Sequence, residues 1–260
     1  VPAAVKSAGL QLVVCDIEES TISFNQRHLE EVLNSDSLCI IASHLFGIPC
    51  DLDSLIPLAR QKGCLVVEDC AQAFGAELNG KLLGTMGDVG FLSFGRGKNI
   101  CAVSGGVIFT EDDTIAGAIG RVISRLSARA IGDNLRAIAE ACFLSIFSHP
   151  RLYWLPCQLP FLGIGETVYP KDFAVRRLGG AHAGLADDWS SKLMPLTSSR
   201  RRLAARYREE LLPQGYHFLE EPEGSFAVYP RFPVIVRNER ERETIIDQLD
   251  RRGLGGSRFY

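Results

Sequence analysis

Residues 64–99 have the sequence CLVVEDCAQAFGAELNGKLLGTMGDVGFLSFGRGKN, which is the most informative part of the chain. Two apolar runs in it, CLVV at 64–67 and VGFLSF at 89–94, predict β-strands because each is short and ends at polar residues or glycine. Strands that are apolar almost throughout are typical of a parallel sheet covered on both faces. The stretch therefore favours an α/β fold.

Further strands are predicted on both sides of this stretch. The apolar runs are LQLVVC at 10–15, LCIIA at 38–42 and GGVIF at 105–109. Between two of the strands, DLDSLIPLARQKG at 51–63 predicts a crossover helix, with Asp53 as its cap, Pro57 in its first turn and Gly63 at its end. A strand, a helix and a strand at this spacing form a right-handed βαβ unit.

The second half of the chain has a different pattern. It predicts helices over about 112–148 and 178–212, then strands near 216–219 and 226–236, and a helix at 239–252. Arginines at positions 200, 201, 202, 206 and 208 are expected to form a solvated face of the second helix.

We therefore expect two domains. The first, residues 1–196, is a large domain with a helical insertion at about 120–165, and the second, residues 197–260, is a smaller α+β domain. The aromatic residues Tyr153, Trp154 and Phe161 of the insertion are expected to pack in a core or at a dimer contact.

Composition excludes several classes of protein. The net charge is −3, from 28 basic and 31 acidic residues, so there is no bulk electrostatic case for binding nucleic acid or an anionic membrane. No run of 18 apolar residues predicts a transmembrane helix. The eight cysteines form no C-x-x-C pair and lie mostly in apolar runs, so we expect reduced, buried thiols, a cytoplasmic location and no metal site.

Two residues that follow strands could carry chemistry. Asp69 comes after one strand and Lys98 after the next, and ligands of open α/β sheets lie at the carboxyl ends of strands. A lysine and a carboxylate are what pyridoxal phosphate needs, for its covalent attachment and its pyridine nitrogen. Taken alone, however, a lysine is usually solvated and an aspartate often forms a turn. A phosphate loop is excluded because Leu92 and Asn99 stand where it needs Gly and Ser or Thr.

The segment from His44 to Thr110 resembles the DegT-type nucleotide-sugar aminotransferases, which are fold-type-I enzymes that use pyridoxal phosphate. The matching blocks are HLFGIPCDLDSL (44–55), VVEDCAQAFGA (66–76), GTMGDVGFLSF (84–94), Lys98-Asn99 and Gly105-Gly106. A weaker resemblance covers residues 1–43 and the ARY sequence at 205–207. The resemblance implies a mainly parallel central sheet flanked by helices, followed by a smaller α+β domain.

The resemblance also implies roles for four residues. Lys98 would hold the cofactor covalently and move the proton, and Asp69 would pair with the pyridinium nitrogen. Gln72 would reach the phenolic oxygen of the ring, and Ser93 would donate its hydroxyl to the phosphate. Each group supplies the donor or the charge that its cofactor atom needs.

The sequence departs from the family pattern at several places, among them Gly95-Arg96-Gly97, where the family commonly has bulky residues or proline. Val103-Ser104-Gly105-Gly106 stands where the family usually has Gly-Glu-Gly-Gly, and no Asn accompanies Arg176 and Arg177 in the region that reaches the neighbouring subunit. The family's Gly-Thr turn would precede Val1 and its end would follow Tyr260. We therefore expect a fragment that by itself binds pyridoxal phosphate weakly and tends to self-associate.

The resemblance implies an aminotransferase of surface polysaccharide or glycan biosynthesis. Its substrates would be a nucleotide-linked keto-sugar and an amino-acid donor such as glutamate, and it would act as a homodimer in the cytoplasm. One alternative is a sugar dehydratase of the same fold, but such enzymes typically replace the lysine by histidine, so Lys98 argues against it. The other alternative is a non-catalytic regulatory or binding homologue.

Overall fold

A computed structural model describes residues 1–147, 149, 151–152, 155 and 175–258. Its strands are β1 (Cys39–Ser43), β2 (Leu65–Asp69), β3 (Glu77–Leu78), β4 (Lys81–Leu82), β5 (Val89–Ser93), β6 (Gly106–Phe109) and β7 (Ser225–Phe226). Its α-helices are α1 (Pro2–Ser7), α2 (Gln26–Val32), α3 (Leu52–Lys62), α4 (Asp113–Arg125), α5 (Ile131–Phe147), α6 (Gly180–Ala186), α7 (Trp189–Leu211) and α8 (Glu239–Arg251).

The central sheet has the strand order β1-β2-β5-β6. The first three strands are parallel and β6 is antiparallel to β5, with Ser93 opposite Gly106. The prediction of an α/β fold with a mainly parallel sheet is confirmed, as are the four predicted strands between residues 38 and 109. Because β1, β2 and β5 run in one direction, the residues that follow them meet at one edge of the sheet.

The predicted strand at 10–15 is wrong. Leu10, Leu12, Val13 and Val14 are exposed, and the nearest pairing is an isolated bridge between Ile17 and Phe24. A strand exists only through hydrogen bonds to a neighbour, and within the described residues no strand lies beside this segment.

The crossover helix forms as α3, but its cap differs from the prediction. Asp51, not Asp53, precedes the helix, and its Oδ1 accepts a hydrogen bond from the Ser54 N–H at 3.1 Å. Pro57 lies beyond the first turn, inside the helix. Gly63 ends the helix with φ 71°, as predicted, because glycine tolerates the left-handed region.

The C-terminal strands are much shorter than predicted. Instead of strands at 216–219 and 226–236, there is β7 and an isolated bridge between His217 and Ile235. β7 pairs with β3, which in turn pairs with β4, so this part of the chain is joined to the hairpin that lies between β2 and β5 in the sequence. The domain boundary at residues 196 and 197 stays a prediction. The aromatic residues Tyr153, Trp154 and Phe161 of the predicted insertion lie outside the described residues.

Two other expectations about side chains need correction. Cys101 and Cys142 are exposed, although Cys50, Cys64 and Cys70 are buried as predicted. The arginines of α7 are not all solvated: Arg200, Arg201 and Arg208 are half-buried and bonded to other parts of the chain. Arg201, for example, donates to the Ala227 carbonyl at 2.8 Å and lies over the Phe226 ring. Among the described helices, none is long and apolar enough to cross a membrane.

Three clusters of buried apolar side chains hold these elements together. The largest joins β1, β2 and α3, with Leu52, Leu55 and Val66 at its centre. A second joins the turn after β1 to α7 and to the segment around Tyr229. The third packs Phe94, Ile100 and Ala102 against α6 and α7, so it fixes both ends of the loop that carries Lys98.

Candidate active site

The four residues predicted to form the site all lie at the carboxyl edge of the central sheet or in the turns that leave it. Asp69 is the last residue of β2 and Ser93 the last residue of β5. Gln72 lies in the hydrogen-bonded turn after β2, and Lys98 lies in the loop after β5. All four are half-buried, so each can contact a bound ligand.

Asp69 and Gln72 each accept a hydrogen bond from a backbone N–H group through one side-chain oxygen. Asp69 Oδ1 accepts a hydrogen bond from the Ala71 N–H at 2.9 Å, and Gln72 Oε1 accepts one from the Phe46 N–H at 3.2 Å. The Gln72 amide nitrogen therefore keeps its two hydrogens for a ligand, because an amide donates only through nitrogen. Asp69 keeps its other carboxylate oxygen, to which no described residue donates.

Lys98 is held beside the Asp69 carboxylate but makes no ion pair with any described residue. Burial lowers the pKa of its ammonium below the ordinary value; the Asp69 carboxylate raises that pKa, and the Arg231 guanidinium lowers it further. An amine with a lowered pKa is a better nucleophile at neutral pH, because more of it is deprotonated.

Asn99 fixes the loop that carries Lys98. Its side chain is buried; Nδ2 donates to the Phe74 carbonyl at 2.8 Å, and Oδ1 accepts from Arg200 at 3.1 Å. The sequence predicts a solvated face for Arg200 and indicates no role for Asn99, so this contact corrects the prediction for Arg200. Nothing local in the sequence indicates this contact, because the two residues are 101 positions apart.

Ser93 lies between the sheet and the same loop. Its Oγ accepts a hydrogen bond from the Gly95 N–H at 3.2 Å, which leaves the hydroxyl hydrogen for an acceptor. The partner strand contributes Gly106, where an added Cβ would lie 2.2 Å from the Leu92 carbonyl oxygen. Close approach of β6 to β5 therefore requires glycine at this position.

A buried hydrogen-bond network around a carboxylate lies directly beneath the site, and sequence reasoning missed it. Glu68, one residue before Asp69, has a fully buried side chain and accepts hydrogen bonds from the backbone N–H groups of Gly84, Met86 and Gly87 at 2.6–2.8 Å. His44 Nε2 is 3.1 Å from the same carboxylate. Burial alone would raise the pKa of Glu68, but the bonds from His44 and the loop backbone lower it.

The loop at 84–87 has a definite structural role. Its backbone N–H groups surround the Glu68 carboxylate and so fix the end of β2 that carries Asp69. His44, Glu68 and Cys70 also place ligand-type atoms within 4.8 Å of one another. Both ring nitrogens of His44 are already hydrogen-bonded, however, and burial keeps Cys70 a thiol by raising its pKa, so we assign the cluster a structural role.

The donor set fits pyridoxal phosphate. An amine with a lowered pKa and a carboxylate lie together, a free amide N–H lies in the turn after β2, and a hydroxyl hydrogen lies at the end of β5. These groups match an aldehyde, a protonated ring nitrogen, a phenolic oxygen and a phosphate, respectively. A donor set of this kind is suited to holding a cofactor at the carboxyl edge of the sheet.

Comparison with known proteins gives the family. Residues 1–136 match the model of the DegT/DnrJ/EryC1/StrS aminotransferase family, and the chain belongs to that family. Membership implies pyridoxal phosphate as the cofactor.

Two individual relatives share a quarter to a third of their aligned residues with the chain. The chain is 34% identical over 112 residues to GDP-perosamine synthase of Escherichia coli O157:H7, an alignment that covers 43% of this chain and 31% of that protein. It is 25% identical over 258 residues to UDP-N-acetyl-3-dehydro-alpha-D-glucosamine 3-aminotransferase of Acidithiobacillus ferrooxidans, which covers 99% of this chain and 59% of the relative.

Solved structures share the fold. The aminotransferase TlmJ from Streptoalloteichus hindustanus superposes with a TM-score of 0.74 at 23% identity, covering 98% of this chain and 61% of that one. The chain thus spans from under a third to about three fifths of the length of these proteins.

Proposed function

We propose that this chain carries the cofactor-binding core of a pyridoxal-phosphate-dependent aminotransferase that acts on a nucleotide-linked keto-sugar. The observation that carries the proposal is the half-buried Lys98 amine, with its lowered pKa, beside the Asp69 carboxylate at the ends of neighbouring strands. The names of the two curated relatives, a GDP-perosamine synthase and a UDP-sugar 3-aminotransferase, support a nucleotide-linked sugar as substrate.

Each residue of the site has one task in this proposal. Pyridoxal phosphate, when bound, supplies an electron sink for the substrate's α-carbon. Lys98 Nζ holds the cofactor and moves a proton from the donor's α-carbon, and Asp69 keeps a positive charge on the ring nitrogen. Gln72 donates to the phenolic oxygen, and Ser93 donates to the phosphate.

The sequence resemblance supports further parts of the proposal. They are glutamate as amino donor, a homodimer as the active form, a role in surface polysaccharide or glycan synthesis, and a cytoplasmic location. Lys98 favours transamination over the dehydratase alternative, because a dehydratase of this fold typically carries histidine there.

Borohydride trapping tests the assignment of Lys98. In the full-length protein incubated with pyridoxal phosphate, reduction should attach the cofactor to the peptide that contains Lys98, as read by mass spectrometry. Lys98→Ala should lose the adduct and lower transamination to background, whereas Lys62→Ala, a change on an exposed helix end, should keep both. An adduct that persists at another lysine in Lys98→Ala would show that the assignment is wrong.

A further inference from the structure

Helix α5 turns its charged side toward the rest of the chain and its apolar side outward. The Asp133 carboxylate is 2.7 Å from the Arg176 guanidinium, and the Glu140 carboxylate is paired with Arg96. Ala137, which lies between the two acidic residues on the helix, is buried. An ordinary surface helix has the opposite polarity, with its apolar residues toward the core. The apolar residues of α5 are therefore left for a different contact.

The outward side of α5 carries a row of apolar residues, which we call the α5 stripe. It consists of Ile131, Leu135, Ile138, Cys142 and Ile146, which are three or four positions apart and so lie on one side of the helix. The four aliphatic side chains are 48–80% exposed, and Cys142 is exposed as well. At about 1.5 Å per residue, α5 is about 25 Å long. An exposed apolar surface of this extent indicates an interaction site.

The charges of α5 favour a protein partner over a lipid surface. Helices that lie in a membrane interface are typically rich in Lys and Arg beside their apolar face, because anionic headgroups attract them. Arg136 is the one basic residue in the sequence of α5, and Asp133 and Glu140 stand on either side of it. Anionic lipid would therefore gain little from this helix.

The order of residues along the α5 stripe is complementary to itself in the antiparallel direction. When two antiparallel copies of α5 are centred between Ile138 and Ala139, Leu135 of each copy meets the partner's Cys142. Large side chains then lie opposite small ones, and the isoleucines at the two ends of the stripe meet each other. A two-fold symmetric contact requires a patch that matches itself in this way.

The same arrangement also brings opposite charges together. Arg136 and Glu140 are four residues apart and lie along one edge of α5. Two-fold symmetry places this edge beside the same edge of the partner helix, with Arg136 next to the partner's Glu140. Complementary charges at the rim of an apolar contact favour one direction of packing over others.

We propose that α5 is a self-association surface, on which the α5 stripe packs antiparallel against the α5 stripe of a second copy of this chain. The proposal goes beyond the proposed function, because it uses none of the residues assigned to the cofactor and does not depend on transamination. The family match ends at residue 136, so most of this surface lies beyond the part of the chain that the family model covers.

Light scattering on the full-length protein tests the surface. The double variant Leu135→Glu/Ile138→Glu places carboxylates from both copies in the contact, so the particle mass should fall about twofold relative to the wild-type protein. Leu203→Glu, a change at an exposed leucine of α7, is the matched control and should keep the wild-type mass. Near-UV circular dichroism should show the same fold in all three proteins.

Cysteine cross-linking tests the direction of packing with a milder change. Leu135→Cys places a thiol opposite the partner's Cys142 in the proposed pair. Copper phenanthroline in air takes two electrons and two protons from such a thiol pair and should join the two copies by a disulfide, which mass spectrometry of the linked peptides identifies. Cys142→Ser added to this variant should abolish the disulfide, and Leu203→Cys should form none with Cys142.

Several results would overturn the proposal. An unchanged particle mass in the double variant would do so, and so would the absence of a disulfide to Cys142 in Leu135→Cys. A loss of stability without a change of mass would show that another part of the same chain covers the α5 stripe. Sedimentation of the wild-type protein, but not of the double variant, with phosphatidylglycerol vesicles at unchanged mass would assign the stripe to lipid instead.

Discussion

His44 Nε2 donates a hydrogen bond to the carboxylate of Glu68 across 3.1 Å, and neither side chain has solvent-accessible surface. The direction of the bond follows from the other ring nitrogen, because His44 Nδ1 accepts from the Cys50 N–H at 3.1 Å and so carries no proton. The pair ties the end of β1 to β2 and to the loop at 84–87. The position of Asp69 thus depends on a buried carboxylate that never meets a ligand.

Glu68→Gln should destabilise the protein strongly. The amide keeps the size of the side chain but loses the charge and offers an N–H to backbone donors that need an acceptor. We expect a loss of about 3–5 kcal/mol in the free energy of unfolding, measured by urea denaturation. Glu31→Gln, at an exposed position of α2, should stay within about 0.5 kcal/mol of the wild-type protein. A comparable loss in both variants would contradict the structural role of Glu68.

Stability should also fall in acid because of the same carboxylate. The pKa of Glu68 is lowered in the folded protein from an ordinary value of 4.5, so the unfolded chain binds the proton more readily. The contribution is complete above pH 4.5 and is lost as the pH falls through the lowered folded value. Urea denaturation at a series of pH values should show this loss in the wild-type protein. Glu68→Gln should show a shallower dependence over that range.

Asp69→Asn should separate binding from catalysis. The amide can still accept the hydrogen bond from the Ala71 N–H, so the turn should keep its shape. The charge beside Lys98 disappears, and with it the support for a protonated ring nitrogen. In the full-length protein we expect cofactor binding within a few-fold of wild type and a fall in turnover of about 100-fold or more. Asp36→Asn, at an exposed turn, is the control; undiminished turnover in Asp69→Asn would refute the role.

Gly47→Ala should be far more damaging than Gly63→Ala, although the two glycines have similar backbones. Gly47 has φ 74° and Gly63 has φ 71°, so both substitutions carry the left-handed penalty of about 1–2 kcal/mol. Around Gly63 nothing lies within 4 Å of an added Cβ, whereas at Gly47 it would meet Val228 Cγ2 at 2.7 Å and Pro230 Cδ at 2.8 Å. Thermal or urea unfolding should show an additional loss of about 1–3 kcal/mol for Gly47→Ala.

The central sheet could be predicted from sequence because continuous apolar runs mark buried parallel strands. Residues 10–15 show the limit of that rule: the run LQLVVC has the right composition, but a strand also needs a neighbour to pair with. The cap of α3 shows a second limit of prediction from sequence. Asp51 and Asp53 are both acceptable cap residues by type, and only the residue at which the helix begins decides between them.

The four site residues could be proposed from sequence because the resemblance to a family assigns them, and the ends of strands place them at one edge. The groups that hold these four residues in place could not be predicted from the sequence. The carboxylate of Glu68 is fixed by three backbone N–H groups, which have no sequence signature, and Asn99 is fixed by an arginine on a distant helix.

The contact between Asn99 and Arg200 has a consequence for the order in which the chain assembles. The two residues are 101 positions apart, so a long loop must close before their hydrogen bond can form. Local pairs such as β1 with β2 close much shorter loops and can form earlier. During synthesis, this anchor of the loop that carries Lys98 can form only after α7 has left the ribosome. We therefore expect the central sheet to form first and the loop that carries Lys98 to become fixed later.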